Sequence, residues 1–278
     1  MIKNLRDENK PISKARAIEL LSKSPQHRGK TFLLVEGRTD EKFFNKFFND
    51  SRCKISTTDG CIGLEEVFRI LKKKKGFKPL LLAIRDMDFL KVEGKQLPKD
   101  MFWTDAHDLE MMCIACGNTV RKLFESLNIP YEETIMDIIY EDLKCVSYIK
   151  WYVCHKDLKY HVNDIKVLAE REEELRDLNY LIKEIQNKTP TLSGLSRDAV
   201  VEFIEKNKDC ERSEITNGHD FCSRLNYKLR QHRKQKGKKD IEDFILSHFC
   251  FNSFTKTNLY KSIVDWEKRN KKVILKEA

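Results

Sequence analysis

The chain has 278 residues, 40% of them hydrophobic and 35% charged, with 53 Lys and Arg against 44 Asp and Glu for a formal net charge of +9. Sixteen Phe and three Trp exclude a disordered chain, no apolar run reaches the ~20 residues of a membrane-spanning helix, and the polar first ten residues hold no signal core. The basic surplus points to a polyanion such as nucleic acid, and nine Cys without an export signal fit reduced thiols in a cytoplasmic protein.

The first third alternates helix and strand. Ile12, Ala15, Ile18 and Leu21 predict a helix over 12–23, and Ser24-Pro25 and Gly29 end it. Thr31–Val35 is a short apolar run, the pattern of a strand buried on both faces. Thr39 is the expected N-cap of a following helix carrying Phe43, Phe44, Phe47 and Phe48, with Asp40 and Glu41 in its first turn. A second strand is expected over 54–58, a helix over 64–75, a third strand over 80–84 and a fourth over 101–103. This order predicts an α/β fold with a parallel sheet flanked by helices. From residue 108 on the pattern is helical: 108–127, 133–151, a long charged helix over 163–187, then 197–208, 220–234, 240–249 and 255–270. The expected organisation is a catalytic domain over 1–120 and a mostly α-helical region over 121–278, divided by a change of structural style rather than by a hinge.

Acidic residues stand where the apolar strands stop. Glu36 follows the first, Asp86 and Asp88 follow the third, and Asp105 follows the fourth. In open α/β sheets ligands gather at the carboxyl ends of strands. Clustered carboxylates are costly unless solvated, paired or bound to a cation, and oxygen donors suit Mg²⁺ or Mn²⁺. A single strand-end Glu is most often a loop or cap residue, and Asp40 has a plain role beside a helix N-terminus. The combination of Glu-Gly-x-x-Asp after one strand with Asp-x-Asp after a later one favours a metal site involving Glu36, Asp40, Asp86 and Asp88.

Leu33-Leu34-Val35-Glu36-Gly37-Arg38-Thr39-Asp40 with Ile84-Arg85-Asp86-Met87-Asp88 resembles the TOPRIM signature. Thr104-Asp105-Ala106-His107-Asp108-Leu109-Glu110 and Asn217-Gly218-His219-Asp220 are similar to two further elements of the compact TOPRIM-like nucleases of bacterial anti-phage defence, the group that includes the effector of the PARIS system; OLD-family nucleases are more distant. The resemblance covers roughly residues 31–110 and is thin beyond, except near Gly218. It implies a Mg²⁺- or Mn²⁺-dependent endonuclease, a toxic effector acting on DNA or RNA (tRNA included), regulated by an ABC-type ATPase. Glu36 would be a metal ligand or the general base. Asp86 and Asp88 would be the metal-binding pair. His107 would be the acid for the leaving oxygen or a helix cap, Glu110 a direct or indirect metal partner or a structural residue, and Asp220 a site residue with His219 or a cap.

Other assignments fit less well. The chain is short for a topoisomerase, Cys113-Ile114-Ala115-Cys116 has no second pair at zinc spacing and reads as core thiols, and no Gly-x-x-x-x-Gly-Lys-Ser/Thr loop occurs, so ATP hydrolysis would need another polypeptide. Residues 223–278 hold fifteen Lys and Arg against six acids, and residues 1–222 hold 38 of each. The dense run Lys228, Arg230, Arg233, Lys234, Lys236, Lys238 and Lys239 is the expected phosphate-contacting segment, with Tyr227, His232 and Tyr260 available for stacking. The 163–187 helix offers a surface for a homodimer or for the ATPase. Two alternatives stand beside the nuclease: a non-catalytic nucleic-acid-binding or adaptor subunit with a TOPRIM fold, and a repair or recombination factor without a partner.

Overall fold

The apolar runs at 31–35, 81–85 and 101–103 form the spine of a four-stranded, all-parallel sheet in the order β2-β1-β3-β4. The computed structural model describes residues 11–160, 162, 172–190, 193–231 and 237–277. In chain order the elements are α1 (Pro11–Lys23), β1 (Thr31–Val35), α2 (Arg38–Phe44), β2 (Cys53–Thr57), α3 (Cys61–Lys73), β3 (Leu81–Arg85), β4 (Met101–Trp103), α4 (Leu109–Gly117), α5 (Thr119–Ser126), α6 (Ile135–His155), α7 (Glu172–Arg176), α8 (Leu178–Lys188), α9 (Arg197–Asn207), α10 (Arg212–Ile215), α11 (Gly218–Gln231), α12 (Lys238–His248), α13 (Phe251–Phe254) and α14 (Asn258–Asn270). The described residues of 1–86, 97–105 and 250–278 make one compact unit, and those of 87–96 and 106–249 make another. This corrects the expected 1–120/121–278 division: 106–120 belong with the helices, and the last two helices return to the sheet.

In the sheet unit, β1 and β3 are buried at all five positions, as strands covered on both faces require. Phe32, Leu34, Leu81 and Ala83 alternate onto one face, where Ala15 and Ile18 of α1 and Leu64, Val67, Phe68 and Leu71 of α3 complete a core. α2 packs against β2 and α14 against β4. Phe47 stacks on Phe254 with ring centroids 4.4 Å apart. Thr39 is not the cap of α2. The helix begins after Gly37, whose N–H is taken by Asp40 Oδ2 at 2.7 Å, and it ends at Phe44, so Phe47 and Phe48 lie in the turns beyond it, still buried.

The helical unit is built around the 21-residue α6, whose Ile139, Leu143, Val146, Ile149 and Trp151 are buried. Two expected helices are broken. The 108–127 segment divides at Asn118, which adopts a left-handed φ of 49° between α4 and α5. The 163–187 helix lies outside the described residues over 163–171. In its described part it breaks at Asp177, whose carboxylate accepts the Asn179 N–H at 2.8 Å and starts α8 afresh. All nine cysteines are free thiols; of the pair expected in the core, Cys113 is buried in α4 and Cys116 only half-buried. Among the described residues no helix is long and apolar enough to cross a membrane.

Candidate functional site

The strand order creates the site of greatest chemical interest in the sheet unit. The chain leaves β1 toward β2 at one edge and leaves β3 toward β4 at the other. The carboxyl ends of β1 and β3 therefore flank a topological switch point, where connections diverge and open a crevice. Glu36 and Asp86 are the first residues after these two strands. The Asp86 N–H donates to Glu36 Oε1 at 3.1 Å, so the two acidic residues are tied together at the crevice. The floor is fixed by neighbouring bonds: Gly60 N–H to the Glu36 carbonyl at 3.0 Å, and the Thr58 N–H and hydroxyl to the Val35 carbonyl, each at 3.0 Å. Gly63 is required beneath it, because a Cβ there would lie 2.2 Å from the Thr58 carbonyl oxygen. Arg85, buried at the end of β3, pairs with Glu65 and donates from Nε to the Asp86 carbonyl at 3.0 Å.

Two other acidic residues of this unit serve the backbone. Asp40 is held by the Gly37 N–H, and burial raises its carboxyl above the ordinary value although that bond opposes the rise. Asp105 is not a free acid at a strand end. Its two oxygens accept the Asn258 and Leu259 N–H groups at 2.5 and 2.7 Å and cap α14.

The chain matches no protein-family model and no curated protein.

In the helical unit, Asp88 adopts a left-handed φ of 47°, a conformation uncommon outside glycine, and its N–H donates to the His107 carbonyl at 2.7 Å. The His107 ring is buried against Phe89 at 4.7 Å, and among the described residues its Nδ1 has no hydrogen-bond partner. Asp108 is the N-cap of α4: Oδ1 accepts the Met111 N–H at 2.8 Å and Oδ2 accepts the Gly218 N–H at 2.7 Å. One carboxylate thus joins the Asp-x-His-Asp-x-Glu and Gly-His-Asp stretches. Asp220 lies in the first turn of α11 and pairs with Lys150.

Glu110, buried in the first turn of α4, has its pKa pushed up to about 7 by burial, with the Asp108 charge adding to the rise and His219 opposing it. His219 is raised to about 9 by its 2.8 Å hydrogen bond with Glu242, with Glu110 contributing. The Glu242 partner has no signal in sequence beyond being one more charge on a surface helix. A carboxyl raised in the folded state binds its proton more tightly there than in the unfolded chain. Stability is therefore lost as pH rises from about 4.5 to about 7. The His219 contribution is present below its unfolded pKa and is lost as pH climbs through about 9. We expect Glu110→Gln to match the parent protein near pH 4 and to exceed its stability near pH 8 by up to about 3 kcal/mol, the equivalent of the raised pKa. Urea titrations at the two pH values check this; parallel pH profiles would disprove the burial account.

Of the expected basic segment, Lys228, Arg230, Lys238 and Lys239 are described. Arg233, Lys234, Lys236 and His232 lie outside the described residues. Lys228 is not a surface cation: its side chain is 12% exposed, and Nζ sits 3.3 Å from the buried Asp142 carboxylate. Lys238 pairs with Glu242 and Lys239 with Asp243, one turn along α12, while Arg230 is exposed at the end of α11. Tyr227 lies under Arg224, and Tyr260 packs on Phe251 and Phe254.

Proposed function

We propose that the chain is a Mg²⁺- or Mn²⁺-dependent phosphodiesterase that cleaves nucleic acid, with Glu36 and Asp86 as its metal-binding carboxylates. The observation that carries this reading is the bond from the Asp86 N–H to the Glu36 carboxylate across the β1/β3 switch point, the place where open α/β sheets bind ligands. The donors fit the metal: Mg²⁺ is commonly held by one or two carboxylates, with waters and substrate phosphate completing its shell. Among the described residues no group of three or more His, Cys, Asp or Glu side chains is arranged to hold a metal, so the expected set of Glu36, Asp40, Asp86, Asp88 and Glu110 is not gathered into one cluster. A bound divalent ion supplies charge stabilisation for phosphoryl oxygens and makes a bound water more acidic.

The protein's own residues orient the donors. The Asp86 N–H fixes one Glu36 oxygen. The Arg85–Glu65 pair anchors the end of β3 from which Asp86 projects. The role as a toxic defence effector and the control by an ABC-type ATPase rest on the resemblance of the Glu36, Asp86 and His107–Glu110 motifs.

Glu36→Gln is the discriminating variant, because an amide oxygen still accepts the Asp86 N–H and preserves the fold while the charge is lost. Mn²⁺ titration followed by electron paramagnetic resonance should show at least about a tenfold loss of affinity. Removing mere outer partners of a metal ligand already costs about that much. Unchanged Mn²⁺ binding in Glu36→Gln and Asp86→Asn would remove the metal from this crevice.

A further inference from the structure

A second charged surface lies in the sheet unit, at the opposite end of the strands from Glu36 and Asp86. Two adjoining cavities of about 610 and 640 Å³ share Arg28, Gly29, Lys30, Thr31 and Lys272. Four separate segments build them: the α1–β1 turn, the approach to β2, the approach to β3 and the tail after α14. Neither lining contains an Asp or Glu. Arg28, Arg52, Lys78, Lys271 and Lys272 are exposed, and among the described residues none of them is in an ion pair. Lys30 is half-buried and fixed by donating to the Asp50 carbonyl at 2.7 Å. Lys23, at the margin, is paired with Glu19.

Such a concentration of like charge is unfavourable unless a polyanion meets it. The field registers on His27 in the same turn: burial lowers its pKa, and Lys30 and Lys54 lower it further. The groove also has room for close approach, since a Cβ placed on Gly29 or Gly76 would meet nothing within 4 Å.

We propose that this groove binds the phosphate backbone of a nucleic acid, as a docking surface separate from the carboxylate crevice. Two confluent concavities with cations along both suit a linear chain of phosphates. The flat plane of a bilayer does not follow a concave path. Strands of five residues at about 3.3 Å per residue place the groove roughly 16 Å from the Glu36 and Asp86 edge. A strand held here is contacted at a distance from the crevice and without any metal.

The test is fluorescence anisotropy of labelled single-stranded DNA and RNA oligonucleotides in EDTA, so that its outcome is independent of the metal-site reading. Between about 50 and 200 mM salt, the triple variant Arg28→Ser/Lys78→Ser/Lys272→Ser should lose about two units of the log Kd against log salt slope, at about 0.7 per phosphate contact. It should also bind at least about tenfold more weakly. The charge-matched control Lys183→Ser/Lys206→Ser/Lys208→Ser, on α8, on α9 and at its C-terminal cap in the other unit, should retain the parent slope. Four outcomes overturn the proposal: no oligonucleotide binding by the parent protein, an unchanged slope and affinity in the groove variant, an equal loss in the control, or a loss confined to binding of phosphatidylserine vesicles.

Discussion

Replacing Asp142 with alanine should destabilise the protein by about 3–5 kcal/mol, the cost of stranding a buried charge whose partner has been removed. Asp142 and Arg224 are both fully buried in the helical unit, with Arg224 Nε 2.8 Å from the carboxylate. Arg176 from α7 reaches the same group at 2.6 Å and Lys228 at 3.3 Å. Burial alone would raise the Asp142 pKa, but hydrogen bonds from Arg176 and Arg224 outweigh it and hold the carboxyl below its ordinary value. Its contribution is thus present above the unfolded carboxyl pKa and is lost as pH falls through the folded one. One carboxylate joins α6, α7 and α11, so its removal acts on the centre of the unit. Urea unfolding measures the effect. The double variant Asp142→Leu/Arg224→Met should recover much of the loss, since a buried ion pair replaced by well-packed apolar groups is often neutral or stabilising. A loss below about 1 kcal/mol in Asp142→Ala would show that the pair is solvated and that the helical unit is organised otherwise.

Gly218→Ala should also be strongly destabilising, at about 3 kcal/mol. A Cβ at this position would lie 2.4 Å from Asp108 Oδ1, 2.7 Å from Glu110 Cβ and 2.7 Å from the Met111 nitrogen. Glu110 Cβ and the Met111 nitrogen are fixed by the backbone, and Asp108 Oδ1 is held in place by the Met111 N–H. Overpacking of this kind costs about 1–3 kcal/mol, and displacing Asp108 endangers its bonds to the Gly218 and Met111 N–H groups, at about 1 kcal/mol each. The glycine is demanded by space and not by a left-handed backbone. Gly76→Ala, where the added carbon meets nothing within 4 Å, is the control and should change stability by less than about 0.5 kcal/mol. Thermal unfolding of the two variants separates the cases. Equal melting temperatures would show that α4 and α11 can part at little cost.

The strands were legible because burial on both faces leaves a distinctive apolar run: 31–35 was expected and Thr31–Val35 is observed. The acids after β1 and β3 were legible for the same reason. Their meeting at one edge followed from the parallel order; that β3 crosses over to lie directly beside β1 is the part no local pattern encodes. Asp105 shows the limit from the other side. It read as one more strand-end acid, and its partners are backbone groups 153 and 154 residues away. Asp142 sits among Ile139, Tyr140 and Leu143 on a buried stripe, which is the available sequence sign that it needed a cation. The cation itself, Arg224, lies 82 residues on, in the basic 223–278 segment one turn before the run expected to contact phosphate. The basic groove escaped for a related reason. Each of its four segments contributes only one or two cations, whereas the eye is drawn to dense runs.

The central claim is that Glu36 and Asp86 carry metal-dependent phosphodiester cleavage. Its most direct measurement is end-labelled DNA, total RNA and tRNA incubated with the purified protein in Mg²⁺ or Mn²⁺, in parallel with Glu36→Gln, Asp86→Asn and an EDTA control. The account predicts cleavage that requires the metal and falls by at least about a hundredfold in either variant, on the scale of removing a principal electrostatic contributor. Cleavage that persists in EDTA, or that survives intact in both variants, would contradict it.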